Sequence, residues 1–330
     1  MNIRAYLRHL ALSSDRFLCP LIRGWSHNIL TDLLAGRRPD TISDSALIHV
    51  EDSVIRAAQA SGALVAKRFG GELQVSSKGR EPGKDLVTDV DRASQQLAAE
   101  IMAQSCPDHQ LLGEEDPPSQ EPAAADWIWV VDPIDGTTNF VNSSLTHAVS
   151  IAALFRGQPM AAAIWIPWPN KDGHLLMHAK QGGGTWIGDS RVRVYPASET
   201  GLPQAGVLTA RPGWLRTMFN VGQPLNGNLG DMRIGGSACY EQFMVARGSI
   251  QYAITGPAHT WDFAAGMLLI TEAGGKFMVL GQRRKFEEFN GWSENYANDE
   301  TTYARIRKWR GLALSGSPTT VDLIAKHMSV

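Results

Sequence analysis

The sequence predicts a layered α/β protein, and three observations carry the prediction. Apolar residues recur at helical spacing soon after residue 45. Short apolar stretches rich in aromatic and β-branched residues crowd the middle of the chain, as core strands do. Beyond residue 206, strand and helix patterns alternate, which is α/β order. The chain has 330 residues, 43% of them hydrophobic, enough for one large domain or two closely packed halves with a substantial core.

The elements follow in order. Val50, Val54, Ala57, Ala58, Leu64 and Val65 place a first helix over residues 46–69. Residues 70–83 are polar, with Lys78 and Arg80, and Lys84 just beyond. They read as a solvated hairpin or as a loop that reaches over a bound anion. A second helix covers residues 89–104. A short apolar run, Leu111-Leu-Gly113, ends in Glu114, Glu115 and Asp116. Strands are expected at 127–131, 147–155, 160–165, 175–179 and 185–187. Gln181-Gly-Gly-Gly184 is then a hairpin turn, because no strand-to-helix context or lysine makes it a nucleotide loop. Strands at 207–210, 231–234, 250–255 and 276–280 alternate with helices at 214–220, 238–246 and 260–273. A last strand at 311–315 and an amphipathic helix at 321–328 close the chain.

Several classes are excluded. A formal net charge of −2 does not suit a general nucleic-acid binder, which needs a basic face. No run of 18 apolar residues marks a transmembrane helix. Cys19, Cys106 and Cys239 are few, odd in number and widely spaced, which suits a cytoplasmic, reducing setting without a disulfide framework or zinc site. His174 and His178 have zinc-helix spacing, but Leu-Leu-Met between them lacks a catalytic glutamate and the segment reads as a strand. Trp165 and Trp168 read as core or as a stacking platform.

The chemistry concentrates at Trp127-Ile-Trp-Val-Val-Asp132-Pro-Ile-Asp135-Gly-Thr137-Thr-Asn-Phe140. Pro133 has no N–H, so the strand is expected to stop there, and Gly136 permits a tight turn. Asp132 and Asp135 then converge beyond the strand, and the Ile134 carbonyl adds a third oxygen. Hard cations such as Mg²⁺ take oxygen ligands of this kind, and Thr137 and Thr138 are placed to orient a water. The alternative is a capped turn, with Asp135 and Thr137 bonded to local N–H groups. Asp89, Asp91 and Asp262 stand at helix starts, where acids are common in any case. An EF-hand is excluded, since the run lacks alternating ligands and a terminal glutamate.

Taken together, these stretches resemble the inositol monophosphatase family of Mg²⁺-dependent, lithium-sensitive phosphatases. Gly113-Glu114-Glu115, the run from Asp132 to Phe140, Trp261-Asp262-Phe-Ala-Ala-Gly266 and Glu272-Ala-Gly-Gly275 match its signatures in order, over roughly residues 48–280. The resemblance implies an alternating αβαβα sandwich. It implies two or three Mg²⁺ ions: the first on Glu114, Asp132 and the Ile134 carbonyl, the second on Asp132, Asp135 and Asp262, and a third, weaker one helped by Asp91. Thr137 would position the attacking water, with Glu114 or Asp91 behind it as proton relay. The Gly136 and Thr137 N–H groups would meet the substrate phosphate. Relatives are commonly homodimers, so a second copy and a small phosphate ester are the expected partners.

The resemblance also exposes departures. Ser237 falls where the family has a Ser, Thr or Ala, which the resemblance implies would lie beside the leaving group; locally it also reads as an ordinary Gly-Ser helix cap. Thr255 stands where inositol-selective members place a glutamate that contacts substrate hydroxyls. Asn142 replaces a histidine common in relatives. Thr138 replaces the basic residue usual in the bisphosphate nucleotidase and histidinol-phosphatase branches. The expected reaction is hydrolysis of a small phosphorylated polyol or sugar, inositol-1-phosphate-like. Bisphosphate nucleotidase, fructose-1,6-bisphosphatase and a non-catalytic scaffold of the same fold are alternatives.

The chain divides on this reading into three parts. Residues 1–45 are an extension outside the match, with Arg4, Arg8, Arg16 and Arg23 and an amphipathic pattern at Ile3, Tyr6, Leu7 and Leu10. It lacks a secretory h-region and reads as a transit peptide, an interfacial helix, an added docking helix or an upstream start. Residues 46–195 hold most of the metal-binding acids. Residues 196–330 hold Asp262 and an aromatic insertion near 282–310, expected at the surface, at a dimer interface or on the rim of the site.

Overall fold

A computed structural model of the chain describes residues 42–78, 85–117, 125–293 and 300–329. The expectations for residues 1–41, Arg80 and Lys84 lie outside the described residues. The chain forms two compact units, Met1–Val50 and Glu51–Val330. In the first, the described residues are the opening turns of helix α1 (Asp44–Arg68), which has Asp44 in its first turn and Lys67 and Arg68 in its last, complementing the helix dipole.

Within Glu51–Val330, β1 (Val75–Ser77) pairs antiparallel with β2 (Leu86–Thr88). Helix α2 (Asp89–Ser105) follows at once, because Thr88 caps it: its hydroxyl accepts the Val90 and Asp91 N–H groups while Asp91 reaches back to the Thr88 N–H. Strands β3 (Gln110–Gly113), β4 (Trp127–Asp135), β5 (Ala148–Phe155), β6 (Gln158–Pro167), β7 (His174–Lys180), β8 (Gly184–Ile187) and β9 (Ser190–Val192) form one seven-stranded sheet in sequence order. Only β3 and β4 run parallel; the rest is an antiparallel meander. Between β4 and β5 a short helix, α3 (Thr137–Val141), occupies the turn.

The second half builds a six-stranded sheet from β10 (Leu208–Ala210), β12 (Asp231–Arg233), β13 (Tyr252–His259), β14 (Lys276–Leu280), β15 (Phe286–Glu288) and β16 (Arg310–Gly316), in the order β12-β10-β13-β16-β14-β15. The one-turn helix α4 (Leu215–Met218) leads into β11 (Asn220–Val221), which pairs with β17 (Met328–Ser329). A longer helix was expected over 214–220; the chain turns into β11 instead. Helices α5 (Ala238–Ala246) and α6 (Thr260–Glu272) lie between the two sheets, α7 (Glu300–Lys308) belongs to the insertion, and α8 (Pro318–His327) covers the far face.

The layers follow from burial. Phe243, Val245, Phe263, Leu269 and Ile270 on α5 and α6 join Val130, Ala152, Ile164 and Met177 of the first sheet and Ala253, Phe277 and Ala313 of the second in one core. Val321 and Ile324 of α8 cover Tyr252, Ile254, Leu312 and Leu314 on the opposite face of the second sheet. The Glu51–Arg68 stretch of α1 and helix α2 lie on the outer side of the first sheet, where Glu51 bonds His178 at 2.8 Å and the Ser61 hydroxyl donates to Ser94 O at 3.1 Å. Gly266 lets α5 and α6 approach closely, since a Cβ there would collide with Gln242. The result is the αβαβα sandwich. Among the described residues no helix is long and apolar enough to cross a membrane.

Two expectations need correction. Pro133 does not end its strand: pairing with β5 resumes at Asp135↔Ala148 after a register shift beyond Asp132↔Ser150. A bulge leaves Pro133 and Ile134 out of the ladder, so the missing N–H of proline is harmless there. The insertion is a surface turn only at residues 282–285, and its later described parts pack inward. Trp292, Tyr303 and Ile306 are buried in the main core, and Phe289, Trp292 and Trp309 pack ring against ring.

Candidate metal centre

The bulge at the end of β4 sets the geometry. Asp132 and Asp135 leave the strand on either side of it, and both are buried. Gly136, at φ +83°, turns the backbone into α3 in a conformation that a side chain would strain. Asp262 arrives from α6, where its Oδ2 accepts the His259 N–H at 2.6 Å. One carboxylate oxygen from each of Asp132, Asp135 and Asp262 lies within 4.8 Å of the others.

The electrostatics of this cluster are unfavourable without a cation. Burial, then the charges of Glu114, Asp135 and Asp262, push the Asp132 carboxyl well above its usual range. Burial and the neighbouring Asp135 and Glu114 do the same to Asp262. Burial also raises Asp135, against hydrogen bonds from Ser237 (Oγ to Oδ2, 2.6 Å) and from the Cys239 N–H. Among the described residues no lysine or arginine pairs with these three. Oxygen donors, mutual proximity and an uncompensated charge fit a hard divalent ion.

The other expected residues surround the cluster. Thr137 Oγ1 lies 3.1 Å from Asp91 Oδ1 and 3.0 Å from Ile134 O, so its one proton is shared between them. Asp91 is buried and raised by desolvation, opposed by the Thr88 and Thr137 hydrogen bonds. Glu114 is engaged by a cation: Lys78 Nζ sits 2.6 Å from its Oε1 and 2.7 Å from Glu115 Oε1. Burial alone would lower the Lys78 ammonium, but the two carboxylates outweigh it and raise it. Burial pushes Glu115 up to about 7. Thr138 is exposed, and its carbonyl accepts the Asn142 amide at 2.8 Å, so Asn142 braces its own short helix. Asp89 lies outside the cluster, bonded to Arg68 at 2.8 Å and to the Gln74 N–H at 3.0 Å.

Some residues at the centre went unmarked in the sequence. Asn139 donates to Thr146 O at 2.6 Å and to Gly235 O at 2.8 Å, tying the β4 turn to the loop before α5. Arg307 of α7 donates to Asp116 O and lies 3.8 Å from its carboxylate, bracing the turn that carries Glu114. Ser237 and Thr255 line a cavity of about 250 Å³ beside Asp135, together with Arg211 and Glu241. Asn139 stood inside a motif already singled out; Arg211, Glu241 and Arg307 offered no local signal.

Comparison with known proteins identifies the family and the fold. A family model described as the inositol monophosphatase family matches residues 47–310. A protein of Aquifex aeolicus named fructose-1,6-bisphosphatase/inositol-1-monophosphatase is 28% identical over 233 residues, covering 69% of this chain and 85% of that one. The Nus factor SuhB of Escherichia coli K12 is 32% identical over 225 residues, 67% and 81% of the two chains. The solved structure of the IMPase of Thermotoga maritima superposes with a TM-score of 0.62 at 23% identity, covering 83% of this chain and 94% of its own, a likeness of fold.

Proposed function

The chain belongs to the inositol monophosphatase family, and on that premise we propose that it is a Mg²⁺-dependent phosphomonoesterase acting on a small phosphorylated polyol or sugar. The observation that carries the reading is the convergence of Asp132, Asp135 and Asp262 within 4.8 Å, the first two buried and the third half-buried, with no lysine or arginine paired to them among the described residues. In this reading Glu114, Asp132 and the Ile134 carbonyl hold one ion, Asp132, Asp135 and Asp262 a second, and Asp91 helps with a third. Bound Mg²⁺ supplies Lewis-acid stabilisation of charge on the phosphoryl group and makes a water more acidic.

The chain's own residues do the positioning. Thr137 Oγ1, held between Asp91 and Ile134 O, accepts a hydrogen bond from the attacking water and passes its own proton toward Asp91. The N–H groups of Gly136 and Thr137, at the open end of α3, face the phosphate oxygens. Ser237 fixes Asp135 and borders the space left for the departing alcohol. No side chain becomes phosphorylated.

A phosphate-release panel tests this: inositol phosphates, fructose bisphosphate, histidinol phosphate, adenosine bisphosphate and glycerol phosphates, with Mg²⁺ or with EDTA. Release is expected only with Mg²⁺, and Asp132→Asn should cut it by about a thousandfold or more. Wild-type rates from that variant at saturating Mg²⁺ would refute the ligand assignment. Silence on every ester would favour a fold retained for a non-catalytic role.

A further inference from the structure

The cavity of about 250 Å³ has a character that a neutral alcohol does not satisfy. It is lined by residues at and just beyond the carboxyl ends of β10, β12 and β13, which run parallel. That is where open α/β sheets receive ligands. Ser237 lines it and also bonds Asp135, so the cavity adjoins the metal centre. On its wall are a buried guanidinium without a carboxylate partner and a buried hydroxyl without a hydrogen-bond partner among the described residues. Arg211 is 8% exposed; its Nε donates to Thr209 Oγ1 at 3.1 Å and its Nη2 to Gly230 O at 3.3 Å. Both acceptors are neutral, and among the described residues no carboxylate pairs with it. Thr255 is 3% exposed, and its hydroxyl has no hydrogen-bond partner among the described residues.

A guanidinium withdrawn from water without a counter-ion is strongly unfavourable, and so is an orphaned buried hydroxyl. Glu241 forms no ion pair with Arg211 among the described residues; its carboxylate accepts the backbone N–H groups of Gly235, at 2.8 Å, and Gly236. A polyol hydroxyl would satisfy Thr255 and leave the Arg211 charge unbalanced. An oxyanion would satisfy both.

We propose that this cavity is an oxyanion subsite for the leaving alcohol, so that the preferred ester carries a carboxylate or a second phosphate received by Arg211 and Thr255. The proposal rests on the phosphatase reading and narrows it to acidic polyol or sugar derivatives.

Matched substrates test it. 3-Phosphoglycerate and glycerol 3-phosphate differ only in a carboxylate against a hydroxymethyl group. Propanediol bisphosphate against propanediol monophosphate repeats the comparison with phosphate. The wild-type protein should favour the anionic member of at least one pair by about 10- to 100-fold in kcat/KM, mostly through KM. Which pair responds identifies the oxyanion. Arg211→Gln should lower kcat/KM for that anionic member at least tenfold more than for its neutral partner, and Arg211→Lys should restore part of the difference. Equal turnover within both pairs, or equal losses on both members in Arg211→Gln, would overturn the subsite while leaving the phosphatase reading intact. If the wild type releases phosphate from nothing, equilibrium dialysis of 3-phosphoglycerate and of propanediol bisphosphate with Ca²⁺ in place of Mg²⁺ decides. Retention of either that is lost in Arg211→Gln supports the subsite without the activity; unchanged retention, or none, removes it.

Discussion

Glu241 shows how one buried side chain couples this site to pH. Burial pushes its carboxyl up to about 7 from an ordinary 4.5, despite the N–H donated by Gly235. An acid raised in this way binds its proton more tightly folded than unfolded. Its stabilising contribution is therefore complete below about pH 4.5 and is lost as pH rises through about 7. Glu241→Gln keeps an oxygen for the Gly235 N–H and has no charge to bury. It should exceed the wild type in stability at pH 8 by about 1–3 kcal/mol and converge with it near pH 5. Urea denaturation at the two pH values reads this directly; parallel profiles would disprove it. Glu241 and Arg211 were not legible in the sequence, because their surroundings depend on which strands become neighbours in the sheet. Asp132 and Asp135 were legible as a pair of acids after an apolar strand and before Gly136, although Pro133 interrupts that strand with a bulge and does not end it.

At the scale of elements, the insertion near 282–310 does more than fill space. Its helix α7 buries Ile306, and the Ile306 carbonyl accepts the hydroxyl of Thr260, the first residue of the helix that carries Asp262. Tyr303 donates to Leu111 O at 3.1 Å, and Arg307 grips the Gly113–Asp116 turn. One helix thus braces two segments that supply proposed ligands. Arg307→Ala should loosen the turn bearing Glu114 without removing an acid. The Mg²⁺ concentration for half-maximal phosphate release should rise about three- to tenfold, with much of the saturated rate retained. A collapse at every Mg²⁺ level, or no change, would contradict a bracing role. The sequence showed the aromatic residues of this insertion but not their destination, since their partners lie far away along the chain. Glu272 is a parallel case. It accepts the Gly182 and Gly184 N–H groups, each at 2.8 Å, and so fixes a hairpin turn that local glycine content had already announced.

For the whole molecule, the αβαβα layering was expected from the motifs, and the long helix Asp44–Arg68 was readable from the spacing of its apolar residues. The path of the last strand was not. β16 enters between β13 and β14 and runs antiparallel to both, a pairing between segments distant in sequence that no local pattern encodes. Acids from β4 and α6 meet between the layers, so folding gathers three like charges within 4.8 Å of one another, two of them buried. The linkage has a definite sign. The raised carboxyls of Asp132, Asp135 and Asp262 make the metal-free protein lose stability as pH climbs above the ordinary carboxylate range. A divalent ion needs the same groups deprotonated and binds the folded state, so its stabilisation grows in the same direction. At a hundred times its dissociation constant an ion adds about 2.7 kcal/mol. For a unit of this size that is roughly 4–6 °C in Tm. Calorimetry should therefore show Mg²⁺ raising Tm over EDTA at pH 8, by less at pH 5, and hardly at all in Asp262→Asn. The same variant, relieved of one buried charge, should melt above the wild type when both are in EDTA at pH 8. Equal melting in Mg²⁺ and EDTA for the wild type would mean that the three carboxylates do not hold an ion, and the phosphatase mechanism would lose its foundation.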